Sequence, residues 1–222
     1  MPNALILYGG WPGHQPERFV ALAKDRLLNG CDVETTSDLT VLESPDLNHR
    51  DLILPIWTQG ELTCEQERGL LRAIEDGTGL VGFHGTADAF RSNPAFHFLL
   101  GGSFTAHPGD IVEYTVRITS QSDSITSGLS DFRVRSEQYY MLVAPDNEVL
   151  ATTTFGAWPC PWIAGTIMPV AWKRRWGRGR VFYSAIGHAP EDWDLPEAQI
   201  LMQRGVTWAT GQLPSGAIES ES

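Results

Sequence analysis

Three short runs of the sequence are apolar on both faces: "ALILYGG" (Ala4 to Gly10), "RDLILPIWTQ" (Arg50 to Gln59) and "GLVGFHG" (Gly79 to Gly85). A strand without a polar face must be covered on both sides, which confines it to a parallel sheet layered between helices. The intervening segments supply those helices. "ERFVALAKDRLLNG" repeats apolar residues at helical spacing and closes on Gly30; "TCEQERGLLRAIEDGTG" does the same, with Thr63 placed as an N-cap and Gly77 past its end. "CDVETTSD" reads as a further strand. Strands alternating with helices imply right-handed crossovers, hence an α/β fold.

From about Gly101 the pattern changes. "DIVEYTVRI", "DFRVRSEQYYMLV" and "EVLATTTF" alternate polar and apolar residues, with "APDNE" as a turn, so the middle third adds antiparallel strands. "PVAWKRRWGRGRVFYSAIGH" reads as a hairpin whose second arm, Arg180 to Ile186, returns to the central sheet. Its basic stretch, Trp172 to Arg180, is expected to be a solvated turn. A last helix spans about Pro196 to Gly211. With 222 residues, 42% of them hydrophobic, the chain suits one domain over residues 1–213, followed by a polar tail, 214–222.

A net charge of -11, from 27 acidic and 16 basic residues, argues against nucleic acid or another polyanionic partner. Cys31, Cys64 and Cys160 are scattered and form no CxxC, which fits a reducing compartment. The amino terminus runs into a strand without a basic leader, and no segment approaches the roughly 18 apolar residues of a membrane span. The expected setting is the cytoplasm, with no membrane partner.

Histidines punctuate the ends of the apolar strands. His14 follows the first in "GGWPGH", His84 ends "GFHG", and His188 ends "AIGH". Carboxyl ends of parallel strands form the ligand-binding rim of an open α/β sheet, so the topology puts all three on one edge. His107 ("TAHP") and Glu137 ("SEQYY") are further candidates from the middle third; His97 reads as a helix-face residue and His49 as a surface one. A rim side chain at position 84 is expected to contribute little to core burial. A sharp strand-to-helix bend is also where a nucleophile elbow would present Ser or Cys. Here it presents Phe83 and His84, so acid/base or metal chemistry is favoured over nucleophilic attack.

Taken in order, "LYGGWPGH", "GLVGFHG", "LLGGSFTAHP", "SEQYY", "PVAW", "GRGRVFYSAIGHAPEDW" and "GVTWATG" resemble the ThuA-like (trehalose utilisation) family, a branch of the class I glutamine amidotransferase-like superfamily. The resemblance implies a flavodoxin-like central sheet with helices on both faces and a small antiparallel addition. It implies carbohydrate catabolism, around trehalose, related disaccharides or their keto forms. It maps a polar pocket onto His84, His107, Glu137 and His188, with His14 at its edge. The superfamily's catalytic cysteine has no counterpart, which disfavours glutaminase activity.

The expectation is an enzyme that isomerises, hydrates or cleaves a sugar, using His84, Glu137 and His188 as catalytic groups. His84, His107, Glu137 and His188 form a ligand set suited to zinc, manganese or iron(II). His14, Trp11, Tyr139 and Trp193 are expected to bind the sugar, and Trp158 and Trp162 offer further stacking faces. The partner is then a small-molecule sugar, with a homo-oligomer as a further possibility. The alternatives are a non-catalytic sugar-binding protein that lost its nucleophile, and an amidotransferase-type subunit fed by a synthetase.

Overall fold

The computed structural model describes residues 1–212; the expected tail, 214–222, lies outside them. Its centre is a nine-stranded mixed sheet. The parallel half comprises β1 (Asn3–Gly10), β2 (Asp32–Thr36), β3 (Leu52–Thr58), β4 (Gly79–Phe83) and β11 (Gly179–Ser184), in the order β2-β1-β3-β4-β11. The three doubly apolar runs occupy β1, β3 and β4. β4 is buried at every position, as a strand covered on both faces must be. The covering helices are α1 (Pro16–Leu22), extended by a wider turn over Ala23–Leu27, then α2 (Cys64–Asp76), α3 (Pro94–Leu100) and α4 (Pro196–Ala209). α2 starts where the sequence indicates: Gln66 N–H donates to Thr63 Oγ1 at 3.2 Å, and Thr63 N–H donates to Gln66 Oε1 at 3.0 Å.

The antiparallel half continues from β11 through β10 (Ile167–Trp176), β9 (Glu148–Thr154), β6 (Ile111–Ile118) and β7 (Phe132–Glu137). β6 and β7 alternate as expected, with Tyr114, Val116, Phe132 and Val134 buried. "DFRVRSEQYYMLV" is not one strand. It breaks after Glu137, and β8 (Tyr140–Val143) pairs instead with β5 (Gly102–Ala106) in a separate ribbon. That break leaves Glu137 as the last paired residue of β7, opposite Ile111, and Tyr139 buried beyond it.

The basic stretch departs from its expectation too. Lys173 and Arg174 lie inside β10 and are buried, and the turn falls at Gly177 and Arg178. Lys173 is ion-paired with buried Asp123 and, at 3.1 Å, with Glu148; Arg174 pairs with Asp146 at 2.9 Å. Burial of these cations is tolerated because each charge meets a carboxylate. Among the described residues, no helix is long and apolar enough to cross a membrane.

Candidate active site

The strand order 2-1-3-4 followed by a fifth parallel strand is the flavodoxin order, whose switch point lies between β1 and β3. The loops leaving β1, β4 and β11 meet at the same carboxyl edge, beside the end of β3 at Thr58. The chain after β1 makes a short turn over Pro12–His14; β4 runs straight into His84; β11 is followed within four residues by His188. Glu137 reaches the same point from the end of β7. One ligand atom from each of His14, His84, Glu137 and His188 lies within 4.8 Å of the others.

His84 organises the cluster. Directly after the extended Phe83, its φ is +38°, left-handed backbone that costs a residue other than glycine about 1–2 kcal/mol. The surroundings hold it there. Its Nδ1 lies 3.0 Å from Ala185 O, Tyr183 Oη–H donates to its carbonyl at 2.9 Å, and its ring is fully buried. The expectation that this side chain contributes little to burial is therefore overturned. Because a carbonyl only accepts, Nδ1 carries the proton. Nε2 then faces Tyr139 Oη at 2.8 Å and Glu137 Oε2 at 3.1 Å. Tyr139 Oη–H satisfies the Nε2 lone pair, so the carboxylate oxygen beside it gains no donor from His84, and this acceptor-rich corner suits a cation.

His14 Nδ1 is bonded to Thr58 Oγ1 at 2.8 Å, leaving Nε2 uncommitted. The close approach requires a glycine beside it: a Cβ on Gly85 would stand 2.0 Å from Thr58 Oγ1 and 2.7 Å from His14 Nδ1. His188 Nδ1 lies 3.3 Å from Glu137 Oε1 without hydrogen-bond geometry, so this buried nitrogen has no regular partner. Asp192 fixes the backbone beneath. It accepts from His188 N–H at 2.9 Å and from Ser136 Oγ–H at 2.6 Å, tying the His188 loop to the end of β7.

The electrostatics follow from this packing. Burial, reinforced by His84 and His188, lowers the pKa of His14 to about 3, so it is neutral at physiological pH. Burial by itself would raise the Glu137 carboxyl, but the adjacent His188 and His84 outweigh it and hold the group well below the usual carboxylate range. The Glu137 carboxylate raises His188 against the opposing effect of burial. Burial also pushes the Tyr139 phenol well above its ordinary value, so it stays a neutral hydrogen-bonding group.

Several expected site residues fall elsewhere. His107 stacks on Phe104, with Nε2 3.8 Å from Glu137 Oε1 and Nδ1 3.3 Å from Asp110 Oδ1. It borders the four-residue group without belonging to it, and His14, expected at the pocket's edge, takes that place. Trp193 does not face a ligand: it is fully buried against Phe19 and Phe83, at ring distances of 4.9 and 4.8 Å. Tyr139 is buried as well, leaving no open ring face for stacking. Trp11 is 43% exposed and stands edge-on to His14 at 4.7 Å, where it can meet an incoming molecule. Trp158 and Trp162 are exposed on the loop after β9. Sequence reasoning missed Thr58, Ser136 and Asp192; the one available signal was an acid four residues after His188 in "GHAPED".

The four clustered residues suit a divalent transition metal by donor chemistry and by their supports. A ligating histidine commonly donates its second N–H to a carbonyl, as His84 does to Ala185. The unpartnered His188 Nδ1 and the facing acceptors of His84 and Glu137 are further marks of such a site.

Fold and site together define a flavodoxin-like α/β protein with a histidine and carboxylate centre at the carboxyl rim of its sheet. A family model described as ThuA, trehalose utilisation, matches residues 3–209. The chain belongs to the ThuA family, which associates it with sugar metabolism. A protein from Parabacteroides merdae described as ThuA-like is similar in structure, with a TM-score of 0.79, 19% identity, and coverage of 99% of this chain and 94% of that one. A second, from Bacteroides uniformis, gives 0.76 and 21%, covering 94% and 91%. A beta-galactosidase from Bacillus circulans gives 0.59 and 13%; the match covers 95% of this chain but 31% of that one. No curated protein matches.

Proposed function

We propose that this protein is an enzyme of carbohydrate catabolism, acting on a disaccharide or keto-sugar with His14, His84 and His188 holding a divalent metal and Glu137 beside them as the acid/base group. The observation that carries the proposal is the meeting of Glu137 Oε2 with His84 Nε2 at 3.1 Å, beside a His188 nitrogen without a regular partner. A bound divalent ion would polarise a sugar carbonyl or hydroxyl. The protein's own groups supply the rest. Glu137, held ionised, accepts a proton from the sugar and returns it to the product, while Ala185 O, accepting from Nδ1–H, keeps the His84 ring in place. The family's description supports the sugar class. A histidine at the elbow speaks against glutamine hydrolysis, which needs a nucleophile there.

The test joins elemental analysis to turnover. Gently purified protein should carry close to one equivalent of zinc, manganese or iron, and trehalose, its 3-keto derivative or a related disaccharide should be consumed. Less than about a tenth of an equivalent of every such metal, with activity unchanged in chelator, would remove the metal from the mechanism. Sugars that raise the melting temperature without being consumed would sink the catalytic reading in favour of a sugar-binding protein.

A further inference from the structure

The cavity bordering His14 has room for about 10 Å³, which is one water molecule. A reacting oxygen or an ion fits such a space; a sugar ring does not. Of the four clustered residues this cavity touches only His14, so the body of a sugar substrate needs a larger recess beside the cluster. A groove of about 390 Å³ has that size, within the range of small-molecule sites, and begins one residue from Glu137, at Gln138. It lies across the outer part of the antiparallel half, under the loop that follows β9.

Two features connect the groove to the cluster. Tyr114, which lines it, donates from Oη to the carbonyl of Glu137 at 3.2 Å, and Gln138, also lining it, is the next residue in the chain. At the other wall, Pro108 directly follows His107, whose ring faces Glu137. The indole of Trp158 rests on the same turn: a Cβ on Gly109 would come within 2.7 Å of its Cζ3. Trp158 is nevertheless 74% exposed, an open aromatic face next to polar walls. Arg117 and Arg133 furnish donors, and Arg133 is steadied by Glu113 at 3.0 Å.

We infer that this groove is the subsite for a saccharide unit beyond the reacting ring, stacked on Trp158 and hydrogen-bonded by Arg117 and Arg133. The assignment rests on the sugar-processing function proposed above. Its chemistry fits a neutral polyol: one apolar ring face for the C–H side of the sugar, donors and acceptors at the edges, and the charge of Arg133 balanced by Glu113.

Calorimetric titration of the full chain tests the assignment, with trehalose as the two-ring probe and glucose as the one-ring probe. Trp158→Ala should raise the Kd for trehalose about tenfold, but that for glucose less than about twofold, since one ring does not need both positions. Trp158→Phe, which keeps an aromatic face, should recover most of the loss, and Arg117→Ala should lie between. Trp162→Ala is the control: that indole is more exposed still but does not line the groove, so trehalose affinity should stay within about twofold. Trehalose binding within twofold of wild type in both Trp158→Ala and Arg117→Ala would overturn the subsite, as would equal losses for one and two rings. Turnover separates this from the function itself. Groove-dependent binding without consumption keeps the subsite and removes the enzyme, whereas turnover with unaltered KM in the groove variants removes the subsite and keeps the enzyme.

Discussion

Replacing His84 tests both the strain and the bonding at the elbow. The ring is fully buried, its Nδ1–H satisfies Ala185 O, and its Nε2 meets Tyr139 Oη. His84→Ala leaves those two buried groups without partners, at about 1–3 kcal/mol each, and opens a cavity as well. A total loss of about 3–5 kcal/mol follows. With a urea m-value of about 2–3 kcal/mol/M, the midpoint of unfolding should fall by about 1–2 M. His84→Gln keeps an amide that can donate to Ala185 O, so it should lose less than half as much stability while losing about 10²- to 10⁴-fold in rate. The backbone adds a sharper consequence. Since φ is +38° whatever the side chain, His84→Gly should be more stable than His84→Ala by about 1 kcal/mol, although it removes one more carbon. Urea unfolding followed by circular dichroism measures all three. An Ala midpoint within about 0.3 M of wild type, or Ala more stable than Gly, would refute the account.

In metal-free protein His14 has a folded pKa far below its unfolded value, so its stabilising contribution is complete above about pH 6.5 and is lost as pH falls toward 3. His14→Gln should flatten that acid limb by up to one proton, about 1.4 kcal/mol per pH unit, as read from urea midpoints at stepped pH. The raised His188 acts in the opposite sense, contributing fully below about pH 6.5 and losing its contribution as pH rises through its folded value, so His188→Gln should flatten the alkaline side. Asp192→Ala frees the His188 loop and Ser136, and competition with a chelating dye should show metal affinity weaker by about 10- to 100-fold; an unchanged affinity would deny Asp192 its positioning role. Lys173→Met leaves Asp123 buried and unpaired and should cost about 3–5 kcal/mol in unfolding assays, whereas the double change Lys173→Met, Asp123→Leu should recover most of it.

The sequence determined the parallel half of the sheet and its rim. Apolarity on both faces of β1, β3 and β4 is a local property that leaves a strand a single environment, and the histidines that end β4 and follow β1 and β11 reach the rim by connectivity. Glu137 was legible only as a strand carboxylate between polar Ser136 and Gln138. Tertiary structure alone decided which of these groups touch. The resemblance put His107 in the pocket and His14 at its edge, yet the turn after β1 brings His14 into the cluster while the stacking of His107 on Phe104 holds it beside Glu137, outside the group. Trp193 and Tyr139 were expected to bind the sugar, and only the packing of Phe19, Phe83 and Phe104 around them showed that their rings are buried. Lys173 read as solvated because its partner Asp123 lies 50 residues away. Periodicity reports which face of an element is buried, but the pairing of buried polar groups depends on contacts between distant segments, and no local pattern encodes those.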